Sequence, residues 1–172
     1  MSNSIIGFPM SLLARQFAFD PEGFLTRYPC AWLVWEPAGW TPPVSSPDQS
    51  LVKTSHEADQ ARPVKGDPLC FPLKKNIRLS IGRASGNEIV ISDATVSRVH
   101  AELEKRGEAW VLMAVRESET TTVVGARRAE PGHPVPLVSG DTLELGGAQL
   151  SYFDAQSFKV RISTVPLQAA AR

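Results

Sequence analysis

Arg83, Ser97, Arg98 and His100 fall in one unbroken run, Gly82-Arg83-Ala84-Ser85-Gly86-Asn87-Glu88-Ile89-Val90-Ile91-Ser92-Asp93-Ala94-Thr95-Val96-Ser97-Arg98-Val99-His100. An arginine entering a loop from a strand end offers a planar fork of donors to an oxyanion, and a serine hydroxyl can donate to a second oxygen of the same group. Arg98, next to that serine, adds positive charge. Singly, each has an ordinary role: an arginine is most often a solvated surface charge, a serine a turn residue. By themselves they leave a small anionic ligand open without requiring one. Catalysis fits the run less well. Asp93, Ser97 and His100 could be drawn as a triad, but triad members must converge in space with an oxyanion hole. No Gly-x-Ser-x-Gly elbow surrounds Ser97. Gly82 and Gly86 are spaced as in a phosphate-cradling loop, yet no Gly-Lys-Ser/Thr follows them. His56, His100 and His133 are scattered, and Cys30 and Cys70 lack metal-type spacing. No catalytic residue, metal or cofactor is therefore expected, and the chain is read as a non-enzyme.

The charge balance narrows the ligand further. The 172 residues carry 18 basic and 18 acidic side chains, a net charge of +0. A nucleic-acid binder usually has a basic excess to neutralise backbone phosphates, so no nucleic-acid partner is expected, while a single phosphate needs only a few donors. With 42% hydrophobic and 21% charged residues, the chain can bury a core and is not globally disordered. Its length suits one domain plus extensions. Two cysteines in a chain of this size suggest free thiols in the cytosol. The apolar stretch 5–14 lacks a basic flank ahead of it, is followed by Arg15, and is too short to span a bilayer. A soluble, cytoplasmic protein without a membrane partner is expected.

Three zones differ in texture. Over residues 10–28, Leu12, Leu13, Phe17, Phe24 and Leu25 suggest short helical pieces interrupted at Asp20-Pro21, and Ala31-Trp32-Leu33-Val34-Trp35 follows as an apolar strand-like run. Its large aromatics need cover, which the main domain is expected to supply. Residues 42–65 mix Pro, Ser, Asp and Gln with little apolar periodicity and read as a linker. The third zone is strand-rich, with candidate strands at 69–73, 77–81, 88–91, 101–105, 109–115, 122–124, 142–145 and 149–153. Ser85-Gly86-Asn87, Arg106-Gly107, Pro131-Gly132 and Ser139-Gly140 punctuate it, and Gly146-Gly147 between alternating runs signals a hairpin. Many short strands at close spacing indicate a β-sandwich. A short helix over 154–162 is expected to close it.

The run from Gly82 to His100 resembles the forkhead-associated family: Gly-Arg after a strand, then Asn, an apolar-x-apolar strand, Asp, and Ser-Arg-x-His, all in register without a gap. The resemblance continues to Pro136-Leu137-Val138-Ser139-Gly140-Asp141-Thr142-Leu143-Glu144-Leu145-Gly146 and covers about the second half of the chain. It implies an all-β sandwich of antiparallel and mixed sheets that binds a threonine-phosphorylated protein or peptide. In that family the residues matching Arg83 and Ser97 contact the phosphate, and the position of Arg98 often assists. The resemblance assigns His100 to bracing the loops by hydrogen bonds. From the residues themselves, Gly82 supplies backbone room at the strand end, and Asn87 and Asp93 order loops through side-chain bonds to backbone.

One element departs from the family. Where a Ser/Thr-Asn-Gly-Thr loop would follow the strand ending near Val115, this chain has Arg116-Glu117-Ser118-Glu119-Thr120-Thr121. Ser118 falls on the hydroxyl position and Glu119 on the asparagine that grips the peptide backbone in the family. A carboxylate cannot donate as an amide does, and it repels phosphate. The expected organisation is an N-terminal extension over 1–40, a linker over 41–66, the sandwich domain over 67–162 and a tail over 163–172. The expected function is a phosphothreonine-binding adaptor in Ser/Thr kinase signalling, with Arg83, Ser97, Arg98, Ser118 and Glu119 facing the ligand. The alternative is a phosphate-independent scaffold that keeps the sandwich and assembles through another face.

Overall fold

The computed structural model describes residues 4–38, 66–74, 78–115, 122–125 and 127–167. In chain order its strands are β1 (Phe8–Pro9), β2 (Ala31–Trp35), β3 (Leu69–Leu73), β4 (Arg78–Gly82), β5 (Ile89–Val90), β6 (Ala101–Arg106), β7 (Ala109–Ala114), β8 (Thr122–Val124), β9 (Arg127–Ala129), β10 (Val135–Pro136), β11 (Thr142–Leu145) and β12 (Ala148–Phe153). The helices are α1 (Met10–Phe19), α2 (Pro21–Arg27) and α3 (Ala155–Ser163). A seven-stranded sheet, ordered β1-β3-β2-β12-β11-β8-β9, faces a five-stranded sheet, β10-β7-β6-β4-β5. The β4–β5 pair is parallel, as Ile81 sits opposite Ile89 and Gly82 opposite Val90. Among the described residues the fold is thus a mixed two-sheet sandwich with three short helices.

Alternation along the strands explains how the layers pack. Leu79, Ile81, Leu103 and Leu112 from one sheet meet Leu33, Trp35, Phe71, Leu73, Leu143, Leu145, Leu150 and Tyr152 from the other in the core between the sheets. Ala31 and Leu69 also pack on this core, and the alternate positions of β2 and β3 point the opposite way. Trp32, Val34 and Cys70 join Met10, Leu13, Phe24, Tyr28, Phe158 and Ile162 in a second core, beneath the helices. The middle of the seven-stranded sheet is therefore covered on both faces, which is why Ala31–Trp35 reads as a continuous apolar run.

This arrangement changes the role of the N-terminal zone. The sequence sets residues 1–40 apart as an extension that lies against the domain. In the structure β2 lies between β12 and β3, with Trp32 opposite Phe153 and Pro72, and Val34 opposite Ser151 and Cys70. The cover of its aromatics is also divided. Trp35 faces the sandwich core, whereas Trp32 stacks on Phe158 of α3 at 4.3 Å between centroids and 16° between planes.

Local chemistry sets the helix ends. Asp20 accepts from the Gly23 N–H at 3.0 Å and precedes Pro21 at the first turn of α2, so α1 stops where α2 is capped. Asp154 caps α3 by accepting from the Ser157 N–H at 2.8 Å. The first turn of α1 is held from outside, by Asp67, which accepts from the Ser11 N–H at 3.0 Å and the Ser11 hydroxyl at 2.6 Å. β1, β9 and β10 carry no alternating pattern in the sequence, because two or three residues are too few to show a period. Of the expected linker only Gly66 lies among the described residues, and Ile77 and residues 168–172 lie outside them.

Where α3 crosses β2 and β12, Arg161 donates through both terminal nitrogens to the two carboxylate oxygens of Glu36, one at 2.8 Å, and the Ser151 hydroxyl donates to the same carboxylate at 3.0 Å. Glu36 has no exposed side-chain surface and Arg161 is 21% exposed. Removing one partner of such a pair strands a buried charge. Arg161→Ala should therefore lower unfolding free energy by about 3 kcal/mol, measured by urea denaturation. Deleting residues 1–38 removes an interior strand and two helices, and cooperative thermal unfolding of the remainder should disappear.

Candidate functional site

β4 ends at Gly82, against the turn carrying Ser97 and Arg98. A Cβ at position 82 would lie 2.2 Å from the Arg98 carbonyl oxygen and 2.8 Å from the Asn87 amide nitrogen, so only glycine allows this approach. Immediately after it, the chain turns into a loop tied to the same segment. The Arg83 N–H donates to the Ser97 carbonyl at 2.9 Å and the Ala84 N–H to the Arg98 carbonyl at 3.1 Å. Asn87, 3% exposed, donates through its amide to the carbonyls of Ala84 at 2.8 Å and Arg98 at 2.7 Å. One side chain thus joins the start of the first loop to the second.

Arg83 is exposed, but its Nε donates to the Val96 carbonyl at 3.0 Å. The guanidinium is anchored by one nitrogen, and its two terminal nitrogens have no partner among the described residues. Arg83 therefore stands alongside Ser97, bonded to the main chain of that residue and of the one before it. Ser97 is half-buried, and its N–H donates to His100 Nδ1 at 3.1 Å. His100 has no exposed surface. An Nδ1 that accepts this bond carries no proton, so the ring braces the turn from inside. The side chains of Arg98 and Val99 are exposed beside it.

Asp93 and a residue the sequence reading did not single out, Thr95, fix the other end of the second loop. Asp93 accepts from the Thr95 N–H at 2.8 Å and from the Thr95 hydroxyl at 2.6 Å. The Thr95 oxygen in turn accepts from the Gly147 N–H at 2.7 Å. Gly146, at φ +61°, sits where a Cβ would lie 2.2 Å from the Thr95 carbonyl. The β11–β12 hairpin is thereby docked on the loop. The spacing Asp-x-Thr is the signal that could have found Thr95, since an aspartate commonly bonds the backbone two residues on.

Glu88 closes the first loop. Its carboxylate accepts from the N–H of Ser80 at 2.7 Å and from the Ser80 hydroxyl, and these bonds hold its pKa below the usual glutamate value. The structure thus brings Gly82, Arg83, Asn87, Ser97, Arg98 and His100 together, with Asp93 acting from the flank. Ser118 and Glu119 lie outside the described residues. No group of three or more His, Cys, Asp or Glu among the described residues could hold a metal ion. The exposed fork of Arg83, with no ion pair to a carboxylate among the described residues, and the neighbouring hydroxyl favour an anion with several acceptor oxygens.

His100→Ala removes the acceptor for the Ser97 N–H inside the fold. It should lower unfolding free energy by about 1–3 kcal/mol in urea denaturation. Unchanged stability would show that the imidazole does not support the turn.

Residues 79–146 match the model of the FHA (forkhead-associated) domain. An FHA domain-containing protein of Arabidopsis thaliana is 34% identical over 85 residues, which cover 49% of this chain and 21% of that protein. The chain spans about a fifth of that relative's length. Among solved structures, the solution structure of the FHA domain of an Arabidopsis thaliana hypothetical protein is 23% identical, covers 73% of this chain and 86% of its own, and has a TM-score of 0.50. Mycobacterium tuberculosis EmbR, solved in complex with a low affinity phosphopeptide, is 28% identical with a TM-score of 0.44 and covers 49% of this chain and 21% of its own. The forkhead-associated likeness thus covers the part of the two-sheet sandwich that carries Arg83, Ser97, Arg98 and His100, while β1, β2, β3 and β12 lie outside it.

Proposed function

We propose that the chain is a binding module that docks on a threonine-phosphorylated partner, Arg83 and Ser97 holding the phosphate and Arg98 adding charge. The observation that carries this reading is the state of Arg83, exposed, anchored at Nε and with no partner for its two terminal nitrogens among the described residues, beside Ser97. Phosphothreonine carries a charge of about −1.5 to −2 and three acceptor oxygens, which match a fork and a hydroxyl. On this reading the protein acts as a cytoplasmic adaptor downstream of a Ser/Thr kinase, with no catalytic step of its own. By alignment, Ser118 and Glu119 fall at the positions that meet the peptide beside the phosphate in the family.

Glu119 favours a second reading, a scaffold that keeps the sandwich without the ligand. Its carboxylate stands, by alignment, where the family has an amide, and it would oppose a phosphate. A degenerate phosphothreonine peptide pool, with the unphosphorylated pool as control, separates the two readings. Selective retention of phosphorylated peptides supports the first, and equal or no retention supports the second.

With a peptide recovered from that pool, Arg83→Ala should cost about 1.5–3 kcal/mol of binding in calorimetry, with little change in melting temperature. Glu119→Asn should strengthen binding by about tenfold or more. Removing a like charge contributes about 1 kcal/mol across a partly solvated gap, and a regained backbone hydrogen bond adds about 0.5–1.5 kcal/mol. The electrostatic share should shrink as salt rises. Weaker binding by Glu119→Asn would give the carboxylate a role of its own in the ligand site.

A further inference from the structure

The first described residues run along the back of the loop that carries Arg83. The Ile5 N–H donates to the Glu88 carbonyl at 2.7 Å, and the Ser4 hydroxyl donates to the Asn87 carbonyl at 3.3 Å. These two carbonyls belong to the residues whose side chains already hold that loop. The Asn87 amide reaches Ala84 and Arg98, and the Glu88 carboxylate reaches Ser80 of β4. The end of the loop is therefore gripped from both sides, by side chains toward the second loop and β4, and by main-chain carbonyls toward residues 4 and 5.

That short segment is itself seated. Ile5 packs against the core between the sheets. A Cβ at Gly7 would lie 2.7 Å from Leu69 Cγ and 2.9 Å from Phe71 Cε1, so the backbone runs directly on those side chains. Phe8 and Pro9 then pair with Cys70 and Leu69, and the Met10 N–H donates to the Pro68 carbonyl at 2.9 Å. The segment is fixed to β3 at one end and to the Arg83 loop at the other. None of its residues belongs to the match at 79–146.

We propose that Ser4–Pro9 is a positioning strap, which holds the 83–88 loop in the geometry that presents Arg83 and so sets the affinity of the site for its anionic ligand. The proposal rests on the reading that Arg83 grips a phosphate. The strap touches no ligand. Its effect is to order beforehand a loop that would otherwise be ordered at the expense of binding. One lost hydrogen bond of ordinary net strength corresponds to roughly a two- to tenfold change in affinity.

The test uses the full chain. Ile5→Pro removes the N–H that bonds Glu88 while keeping an apolar side chain, and Ile5→Val keeps the N–H. Gly7→Ala, which lifts the segment off Leu69 and Phe71, is the second variant should Ile5→Pro fail to fold. Two quantities are read well below the melting temperature. One is amide exchange at Ala84 and Asn87; the other is the affinity for a phosphothreonine peptide recovered from the degenerate pool. Ile5→Pro or Gly7→Ala should speed exchange at both amides and weaken binding roughly two- to tenfold, while Ile5→Val behaves as wild type. A strap serving stability alone would lower the melting temperature with both readings unchanged, and that outcome overturns the proposal. Faster exchange at unchanged affinity also overturns it. Were wild type to bind no phosphopeptide, the reading of the site would fall, and exchange alone would decide whether the segment orders the loop.

Discussion

The Arg98 carbonyl oxygen occupies the space where a side chain at position 82 would begin. It accepts from the Ala84 N–H and the Asn87 amide, so both lone pairs of that oxygen are used. Arg83 is the next residue after the contact. The direction in which its side chain leaves the sandwich therefore follows from how closely two backbones approach, and that approach needs a residue without Cβ. Val96, buried in the core, and His100, buried beneath the turn, hold the opposing segment in place. An exposed arginine gains definition from interior constraints in this way, with its Nε bond to Val96 as the last link.

The same loops are tied to parts of the chain far away in sequence. Thr95 locks the second loop to the Gly146-Gly147 hairpin, and residues 4 and 5 reach the end of the first. Both supports trace back to the seven-stranded sheet, since the hairpin joins β11 to β12 and the N-terminal segment runs onto β3. That sheet is stabilised on two faces: by the opposing sheet on one, and by helices stacked on Trp32 and locked through Glu36 and Arg161 on the other. Loops placed at the end of such a scaffold can be ordered before a ligand arrives. A chain of net charge +0 has no general field to draw an anion in, which makes local geometry the main source of affinity in the proposed reading.

The N-terminal third shows why texture along a chain and packing in space can disagree. Residues 10–38 are separated from β3 by a Pro- and Ser-containing stretch and fall outside the residues matched to the FHA model. Their apolar positions still need burial, and β2 finds it by adding to the sheet between β3 and β12. Antiparallel addition satisfies its backbone groups, while alternation sends Leu33 and Trp35 to one core and Trp32 and Val34 to the other. Sheet hydrogen bonding is indifferent to sequence distance, so an element read as an appendage became interior.

By itself the sequence determined the sandwich class, most of its longer strands, the interruption at Asp20-Pro21 and the composition of the 82–100 run, because each is a matter of period or of local backbone chemistry. Alternation over four or more residues and a proline after a capping aspartate need no knowledge of the rest of the chain. Thr95 was not singled out from the sequence, and the Asp-x-Thr spacing that precedes it does not reveal the hairpin the threonine holds. Only the tertiary structure decided that Gly82 abuts the Arg98 carbonyl, that Arg83 is pinned through Nε to Val96, that the Ile5 N–H reaches Glu88, and that Trp32 is covered by α3. Each of these joins residues that no spacing rule relates. Their partners are set by which strands become neighbours, and that depends on burying both faces of one sheet at once.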